Sequence, residues 1–370
     1  VTASLLPLFI ESAPAWLVGV CGMSVLRAWV QSHGYVQALL TSRAPQNNAT
    51  RALRGLIAGV PQPYGPADSL RASERLARDN VPPATLLAFT ASAATLGWDA
   101  ATAGLLWLGP MVTCTRLIGS AIIACGAAVL SARYLRRDEL DAPPVLTHSS
   151  QVRARWYGAP LRNALQEWLE HNVAWLAFGV LAAAVLEAAL APEWLLRVHA
   201  PWDLLLALLL AFPGRICVLG MTPVAAVLLH KGASLGAVLI VLWIGPIVHW
   251  HGLVILRRHL GPLATLGYAL GAAALALALG GAANWLLSTR SVPGVHPLLA
   301  HAHSAGELAC AALMAALCLW TLLRIGPRGL VAALSAHPHV LDHVHATSEH
   351  EAPLPMASHA HEASLQRHRH

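Results

Sequence analysis

Histidines grouped near the end of the chain are the first residues with obvious chemistry. Nine of the 20 histidines fall between His337 and His370. Neutral imidazole is a ligand for zinc, copper and nickel, so this tail is predicted to capture metal weakly and multivalently. A solvated, disordered end is the alternative. A shorter loop before the last helix also contains histidines. The predicted ligands in the loop and tail are His296, His301, His303, His337, His339, His343 and His345.

A second set of candidate metal ligands lies inside apolar runs. Cys217 follows a break at Pro213, where an unwound segment would point the sulfur into a cavity; a buried apolar thiol is the alternative. His249 and His251 are costly in an apolar run unless they face a cavity or a partner. Residues two apart do not share a helical face, so both could bind one ion only if the backbone breaks after Pro246. Hydrogen-bonded packing is the other interpretation.

Two isolated charges lie in neighbouring apolar runs. Asp99 is the one charged residue in 83–115, and Arg116 is the one charged residue in 111–132. An unpaired charge at the bilayer centre costs at least about 2.5–3.5 kcal/mol. We therefore expect the two to form an ion pair or to open onto one shared cavity. A structural pair and a role in proton or ion coupling both stay open.

The amino-acid composition indicates the kind of fold that must position these residues. Of the 370 residues, 56% are hydrophobic and only 11% are charged, against roughly a quarter charged in ordinary globular proteins. Such a chain cannot cover a water-soluble surface, which excludes a soluble enzyme, a nucleic-acid reader and a disordered scaffold. The six cysteines form no CxxC and do not indicate a disulfide framework. The fold class predicted is an all-α polytopic membrane protein.

Several apolar runs reach the roughly 20 residues that a membrane-spanning helix needs. We expect about eight transmembrane helices, including a retained first helix from Leu5 to Val30. The run from Trp202 to Leu229 is interrupted by Pro213 and Pro223, and broken helices are tolerated at membrane depth only against protein or a watery cavity. The Arg-rich stretch 133–162 is expected to be cytoplasmic.

The chain also carries an internal repeat. Shifting the sequence by 152 places Trp98 on Trp250 and Leu108-Gly109-Pro110 on Leu260-Gly261-Pro262. Duplicated halves with broken segments at matching positions are typical of secondary transporters, whose substrate site lies at the repeat interface. The predicted divisions are a first transmembrane repeat (1–133), a hydrophilic loop (134–165), a second repeat (166–288), a His-containing loop (289–306), a last helix (307–325) and a His-rich disordered tail (326–370).

The second half carries a recognisable pattern. It includes Thr222-Pro223, Ile244-Gly245-Pro246 and Leu260-Gly261, and it closely resembles bacterial predicted permeases of the YraQ/ArsP type. That family includes organoarsenical exporters and a branch regarded as copper/zinc efflux transporters, which this chain is similar to in length, two-repeat layout and His-bearing loop. The resemblance runs from Leu6 to about Leu323. It implies that Thr222 and Cys217 lie on a transport path.

The first half departs from the family pattern. Where the family has P-x-P-x-C-S-C-G, this chain has Gly65 and Ala67 in place of the two cysteines, and Arg71 replaces the following proline. A thiolate site built as in the family is therefore not expected in the first half. Loss of these soft ligands shifts the expected cargo from arsenicals towards zinc-like divalent ions.

The sequence therefore predicts a permease-like transporter of the bacterial inner membrane rather than an enzyme. It would export a zinc- or copper-like divalent metal by alternating access, with the metal as cargo and no permanently bound cofactor. The expected partners are the lipid bilayer and metal ions, and no nucleic acid is expected. Homo-oligomer formation is left as an alternative. The alternative is a non-transporting metal-sensing or partner-binding membrane protein derived from a permease.

Overall fold

Helices make up all the regular structure in the part of the chain that the computed structural model describes. Those residues are 2–33, 35–41, 47–62, 66–79, 81–135, 158–191, 195, 201–212, 217–287 and 304–335. The all-α class predicted from the sequence is confirmed. The predicted ligands of the loop and tail, from His296 to His303 and from His337 to His345, lie outside these residues.

Helices α1 to α7 form what we call the first half of the chain. Their bounds are Thr2–His33 (α1), Tyr35–Thr41 (α2), Asn48–Gly59 (α3), Pro66–Arg78 (α4), Pro83–Thr95 (α5), Trp98–Trp107 (α6) and Gly109–Ala132 (α7). The second half holds Ala159–Ala189 (α8), Trp202–Ala211 (α9), Val218–His230 (α10), Leu235–Ile247 (α11) and Trp250–Leu287 (α12). A last helix, α13, spans Ala305–Ser335.

Five of the described helices are long and apolar enough to cross a membrane. The candidate spans are Phe9–Val30, Gly109–Ala132, Pro160–Ala189, Gly252–Leu287 and Ala305–Gly326. Three further apolar helices, α9, α10 and α11, have only 10–17 residues. A 13-residue helix rises only about 20 Å, which is too short for a hydrocarbon core of about 30 Å. The described residues thus combine full spans with short interrupted helices, as expected for a multi-pass membrane protein.

The helix bounds recur at one separation along the chain. Helices α4, α5 and α6 begin at residues 66, 83 and 98, and α10, α11 and α12 begin at residues 218, 235 and 250, each 152 positions later. Gly109 and Gly261 stand at the same separation and have similar positive φ angles of 76° and 80°. A proline follows each of them. Glycine adopts this conformation without strain, and the proline starts the next helical segment.

The breaks at the two interrupted regions are shorter than the sequence suggested. The internal repeat predicts corresponding non-helical breaks at Pro61 to Leu70 and at Pro213 to Thr222, yet α4 starts at Pro66 and α10 at Val218. Proline is favoured at the first position of a helix because its missing N–H has no helical partner there, which explains the start of α4. Residues 63–65 and 213–216 lie outside the described part.

Small residues bring the helices close together. A Cβ on Gly179 of α8 would lie 1.9 Å from the Gly220 carbonyl oxygen of α10, and a Cβ on Gly55 of α3 would lie 2.0 Å from the Thr85 carbonyl oxygen of α5. Helices in membranes associate largely through close packing, which glycine permits. These crossings therefore depend on the absence of a side chain.

The two halves share a long interface. Helix α1 packs on α8, α5 on α11, α6 on α10 and α7 on α12, while α13 lies against both α1 and α8. Packing within each half differs. In the first half α1 packs on α6, whereas in the second half α8 packs on α10, which corresponds to α4 in the repeat. The last helix also continues past its predicted end at residue 325, through a kink at Gly326 (φ 71°), to Ser335.

Candidate functional site

A small cavity lies where the interrupted regions of both halves meet. Its volume is about 20 Å³, which is room for one water molecule. From the first half it is lined by Gln62, Ala93, Ala94, Gly97, Asp99 and Ala100, and from the second half by Asn172, Cys217, Val218 and Leu219. The polar groups are thus one carboxylate, two carboxamides and one thiol.

Asp99 supplies the carboxylate. It stands in the first turn of α6 and is only 8% exposed. Its Oδ1 accepts a hydrogen bond from the Ala100 backbone N–H at 2.8 Å, and its Oδ2 accepts one from the Trp168 indole N–H at 2.8 Å. The positive end of the α6 dipole also favours a negative charge here. The carboxylate is therefore held in a fixed orientation at the cavity wall.

Asn172 and Cys217 form the opposite wall. The Asn172 side-chain amide donates to the Trp168 carbonyl oxygen at 3.0 Å, one turn earlier in α8. The Asn172 Oδ1 therefore faces Cys217, and the distance from Oδ1 to the Cys217 Sγ is 4.0 Å. Cys217 is the N-cap of α10, so the first N–H groups of that helix lie beside the thiol.

Pro223 leaves one backbone carbonyl of α10 without its helical hydrogen bond. A proline inside a helix has no N–H to donate to the carbonyl four residues earlier, which here is that of Leu219 at the cavity. The neighbouring Thr222 is buried, and its hydroxyl donates to the Val218 carbonyl of its own helix at 2.7 Å. Thr222, which was predicted on the transport path, is not among the residues that line the cavity.

Arg116 does not pair with Asp99 as the sequence suggested. Its guanidinium is 1% exposed, and Nη2 donates to the Ala100 carbonyl oxygen at 2.7 Å. Within the described residues no Asp99–Arg116 ion pair is formed, and Arg116 does not line the cavity. Each Asp99 oxygen instead accepts one hydrogen bond from a backbone or indole N–H, and a backbone carbonyl accepts one from the arginine.

The His249 and His251 pair lies at another break. Helix α11 ends at Ile247 and α12 begins at Trp250, so the backbone is irregular after Pro246. The His249 ring is 3% exposed and packs over Gly252, where an added Cβ would lie 3.1 Å from it. It is not part of the cavity wall. The side chain of His251 lies outside the described part.

Metal-ligating side chains are sparse around the cavity. Among the described residues, no group of three or more His, Cys, Asp or Glu side chains is placed to hold one ion. Asp99 and Cys217 are the two such side chains in the cavity wall. Further ligands there would have to be carboxamide or backbone oxygens.

Comparison with known families decides the class of this protein. A family model described as "Predicted permease" (ArsP_1) matches residues 3–284. The chain belongs to this permease family. The match includes both walls of the permease cavity and ends before α13. Neither the curated proteins nor the solved structures contain a significant match to the permease.

Two residues of the cavity wall, Gln62 and Asn172, and Trp168, which donates to Asp99, were not identified from the sequence of the permease. Gln62, Trp168 and Asn172 are 7%, 0% and 3% exposed. Asn172 carried a usable signal, because it is a polar residue at the start of an apolar run. Gln62 and Trp168 carried none, since their roles depend on how α3 and α8 approach α6.

Proposed function

We propose that this permease exports a zinc- or copper-like divalent metal ion by alternating access across the bacterial inner membrane. The observation that carries the proposal is a cavity that brings a carboxylate and a thiol together from opposite halves of the chain. Asp99 lies on α6 of the first half, and Cys217 caps α10 of the second. A cation bound between them would contact both halves at once.

The donor set suits a borderline metal ion. Zinc is bound by thiolate and carboxylate ligands, and imidazole-free sites of mixed sulfur and oxygen accept soft to borderline cations. The N-terminus of α10 favours a negative charge at Cys217. The Asn172 and Gln62 carboxamides and the Leu219 carbonyl provide oxygens that could complete the coordination. Two anionic ligands would neutralise a divalent ion.

The repeated helix bounds support the transport mechanism. Secondary transporters place their site between two structural repeats and move one repeat against the other. Here the starts of three consecutive helices recur 152 positions later, and the cavity lies between the two sets. We propose that residues 1–133 and 166–288 are copies of one unit, and that an ion gradient drives their exchange between inward-open and outward-open arrangements.

Metal uptake into proteoliposomes tests the proposal. The full chain is reconstituted, and zinc, copper and nickel are measured in parallel for the wild type, Asp99→Asn and Cys217→Ser. Asp203→Asn is the matched control, because Asp203 is also 8% exposed, also stands in the first turn of its helix and also accepts from the next backbone N–H. It does not line the cavity.

The expected result is transport by the wild type, near-complete loss in Asp99→Asn, partial loss in Cys217→Ser and unchanged transport in Asp203→Asn. Absence of transport of any metal by well-folded wild-type protein would refute metal export. Equal loss in Asp99→Asn and Asp203→Asn would show that burial rather than the cavity explains the effect.

A second candidate function is a non-transporting metal sensor or partner-binding protein. The observation that favours it is the contrast between α4 and α10, which begin 152 positions apart. Helix α10 is apolar, whereas α4 carries Asp68, Arg71, Glu74, Arg75 and Arg78. The family cysteines just before and within α4 are also replaced, by Gly65 and Ala67. In this case zinc would bind to the purified protein but would not cross the liposome membrane.

A further inference from the structure

Trp168 holds the Asp99 carboxylate from the other half of the chain. Its side chain has no exposed surface, and its indole N–H lies 2.8 Å from Oδ2 of Asp99. A hydrogen bond to a charged acceptor is stronger than one between neutral groups. It also limits the directions in which the carboxylate can accept further ligands.

The residues beside Trp168 in α8 make two other contacts, each with a different helix. Glu167 forms an ion pair with Arg27 of α1, whose side chain is 6% exposed. The Asn172 side-chain oxygen contacts the Cys217 thiol of α10, and the Asn172 side-chain amide donates to the Trp168 carbonyl. Residues 167–172 of α8 therefore contact α1, α6 and α10 through their side chains.

The position of this hydrogen bond matters for a transporter with two moving halves. Trp168 belongs to α8 of the second half and Asp99 to α6 of the first, so movement of one half against the other must lengthen or break the bond. The cavity ligand then loses its fixed orientation. A difference in cargo affinity between the two arrangements is what allows a cargo bound on one side to be released on the other.

We propose that Trp168 is a positioning residue for the cargo: its indole N–H orients the Asp99 carboxylate across the interface, so that Asp99 binds a divalent cation with full affinity only while Trp168 of α8 lies within hydrogen-bond distance of Asp99. This inference rests on the proposed metal transport. Trp168 itself has no lone pair to offer a cation and acts through Asp99.

Removing the indole N–H while keeping an aromatic ring tests the role of Trp168. Trp168→Phe is compared with Trp16→Phe, because Trp16 is 1% exposed and its indole N–H has no hydrogen-bond partner among the described residues. Initial rates of Zn²⁺ uptake are measured over a range of Zn²⁺ concentrations. We expect the half-saturating concentration to rise about tenfold in Trp168→Phe, from the loss of a hydrogen bond to a charged group. The maximal rate should change little, and Trp16→Phe should match the wild type.

A second variant guards against a folding defect. Benzothienylalanine at position 168 keeps the shape of the indole and replaces the N–H by sulfur, and it should raise the half-saturating concentration as Trp168→Phe does. A lower maximal rate at unchanged half-saturation in both variants would show a structural role and overturn the inference, while leaving metal transport intact. Failure of the wild type to take up Zn²⁺, copper or nickel would instead overturn the proposed function.

Discussion

Buried charges of this permease are satisfied in more than one way. Lys231 pairs with Glu187 at 3.1 Å, and the two side chains are 5% and 17% exposed. Arg116 is instead bonded to a backbone carbonyl, and Asp99 to backbone and indole N–H groups. From the sequence we expected Asp99 to pair with Arg116 or to share a cavity with it, because a lone charge in an apolar run is costly. The groups that bond to each of them instead could not be predicted, since carbonyl and indole groups carry no charge pattern along the sequence.

The Lys231–Glu187 pair gives a stability prediction. Lys231→Met leaves the Glu187 carboxylate buried without its cation and should destabilise the fold by about 3–5 kcal/mol. Changing both residues, to Met and Leu, should recover most of that loss. Thermal unfolding in detergent measures both effects.

The control for this prediction is a more exposed pair. Arg324 lies 3.5 Å from Glu170, and the side chains are 48% and 24% exposed. Arg324→Leu should cost less than about 1 kcal/mol. Similar melting temperatures for Lys231→Met and Arg324→Leu would contradict the assigned role of burial.

At the scale of elements, the sequence predicted the helical runs, and a Gly-Pro pair stands at each of two kinks in the structure. Proline and glycine act locally, so the kinks at Gly109 and Gly261 could be expected from the sequence alone. The extents of the breaks before α4 and α10 could not, because helix starts depend on capping and packing. The difference between α1, which packs on α6, and α8, which packs on α10, is likewise a tertiary property. No periodicity in either helix indicates which neighbour it will contact.

The α8–α10 crossing provides a test at this scale. Gly179→Ala would place a Cβ 1.9 Å from the Gly220 carbonyl oxygen, so the two helices would have to separate. We expect a loss of about 1–3 kcal/mol, as for other overpacked sites, together with reduced uptake because Cys217 moves with α10. Melting temperature and transport rate are the measurements.

Gly281→Ala serves as the matched substitution in a helix. Its Cβ would meet nothing closer than the Leu204 side chain at 3.9 Å. This variant should be neutral or slightly stabilised, because alanine favours the helix over glycine. A Gly179→Ala protein as stable and active as Gly281→Ala would show that the crossing tolerates more space than the structure has.

For the whole molecule, composition alone predicted a multi-pass membrane protein, because 11% charged residues cannot cover a soluble surface. The location of the cavity needed more than composition. The repeat placed it at the interface of the halves, but the residues of its walls come from five separate segments of the chain. Only packing of α3, α5, α6, α8 and α10 brings these segments together.

The histidine-rich tail yields a prediction for the full chain. Deleting His337 to His370, which lie outside the described residues, should raise the half-saturating Zn²⁺ concentration several-fold and leave the maximal rate unchanged, because a tethered multivalent segment raises the local metal concentration without forming the transport path. A tail of equal length with its nine histidines replaced by glutamine should behave like the deletion. Complete loss of uptake on deletion would assign the tail a direct part in transport.

The kink at Gly261 has a consequence for how the protein fits its lipid. A straight helix of the 38 residues of α12 would be about 57 Å long, well beyond a hydrocarbon layer of about 30 Å. The kink divides it, and the segment 262–287 alone still rises about 39 Å, so it must tilt or extend into the headgroups. Its tilt is coupled through Gly261 to the short segment that begins beside His249. The length of the lipid acyl chains should therefore affect transport. Liposomes of thin and thick bilayers should give different uptake rates for the same protein.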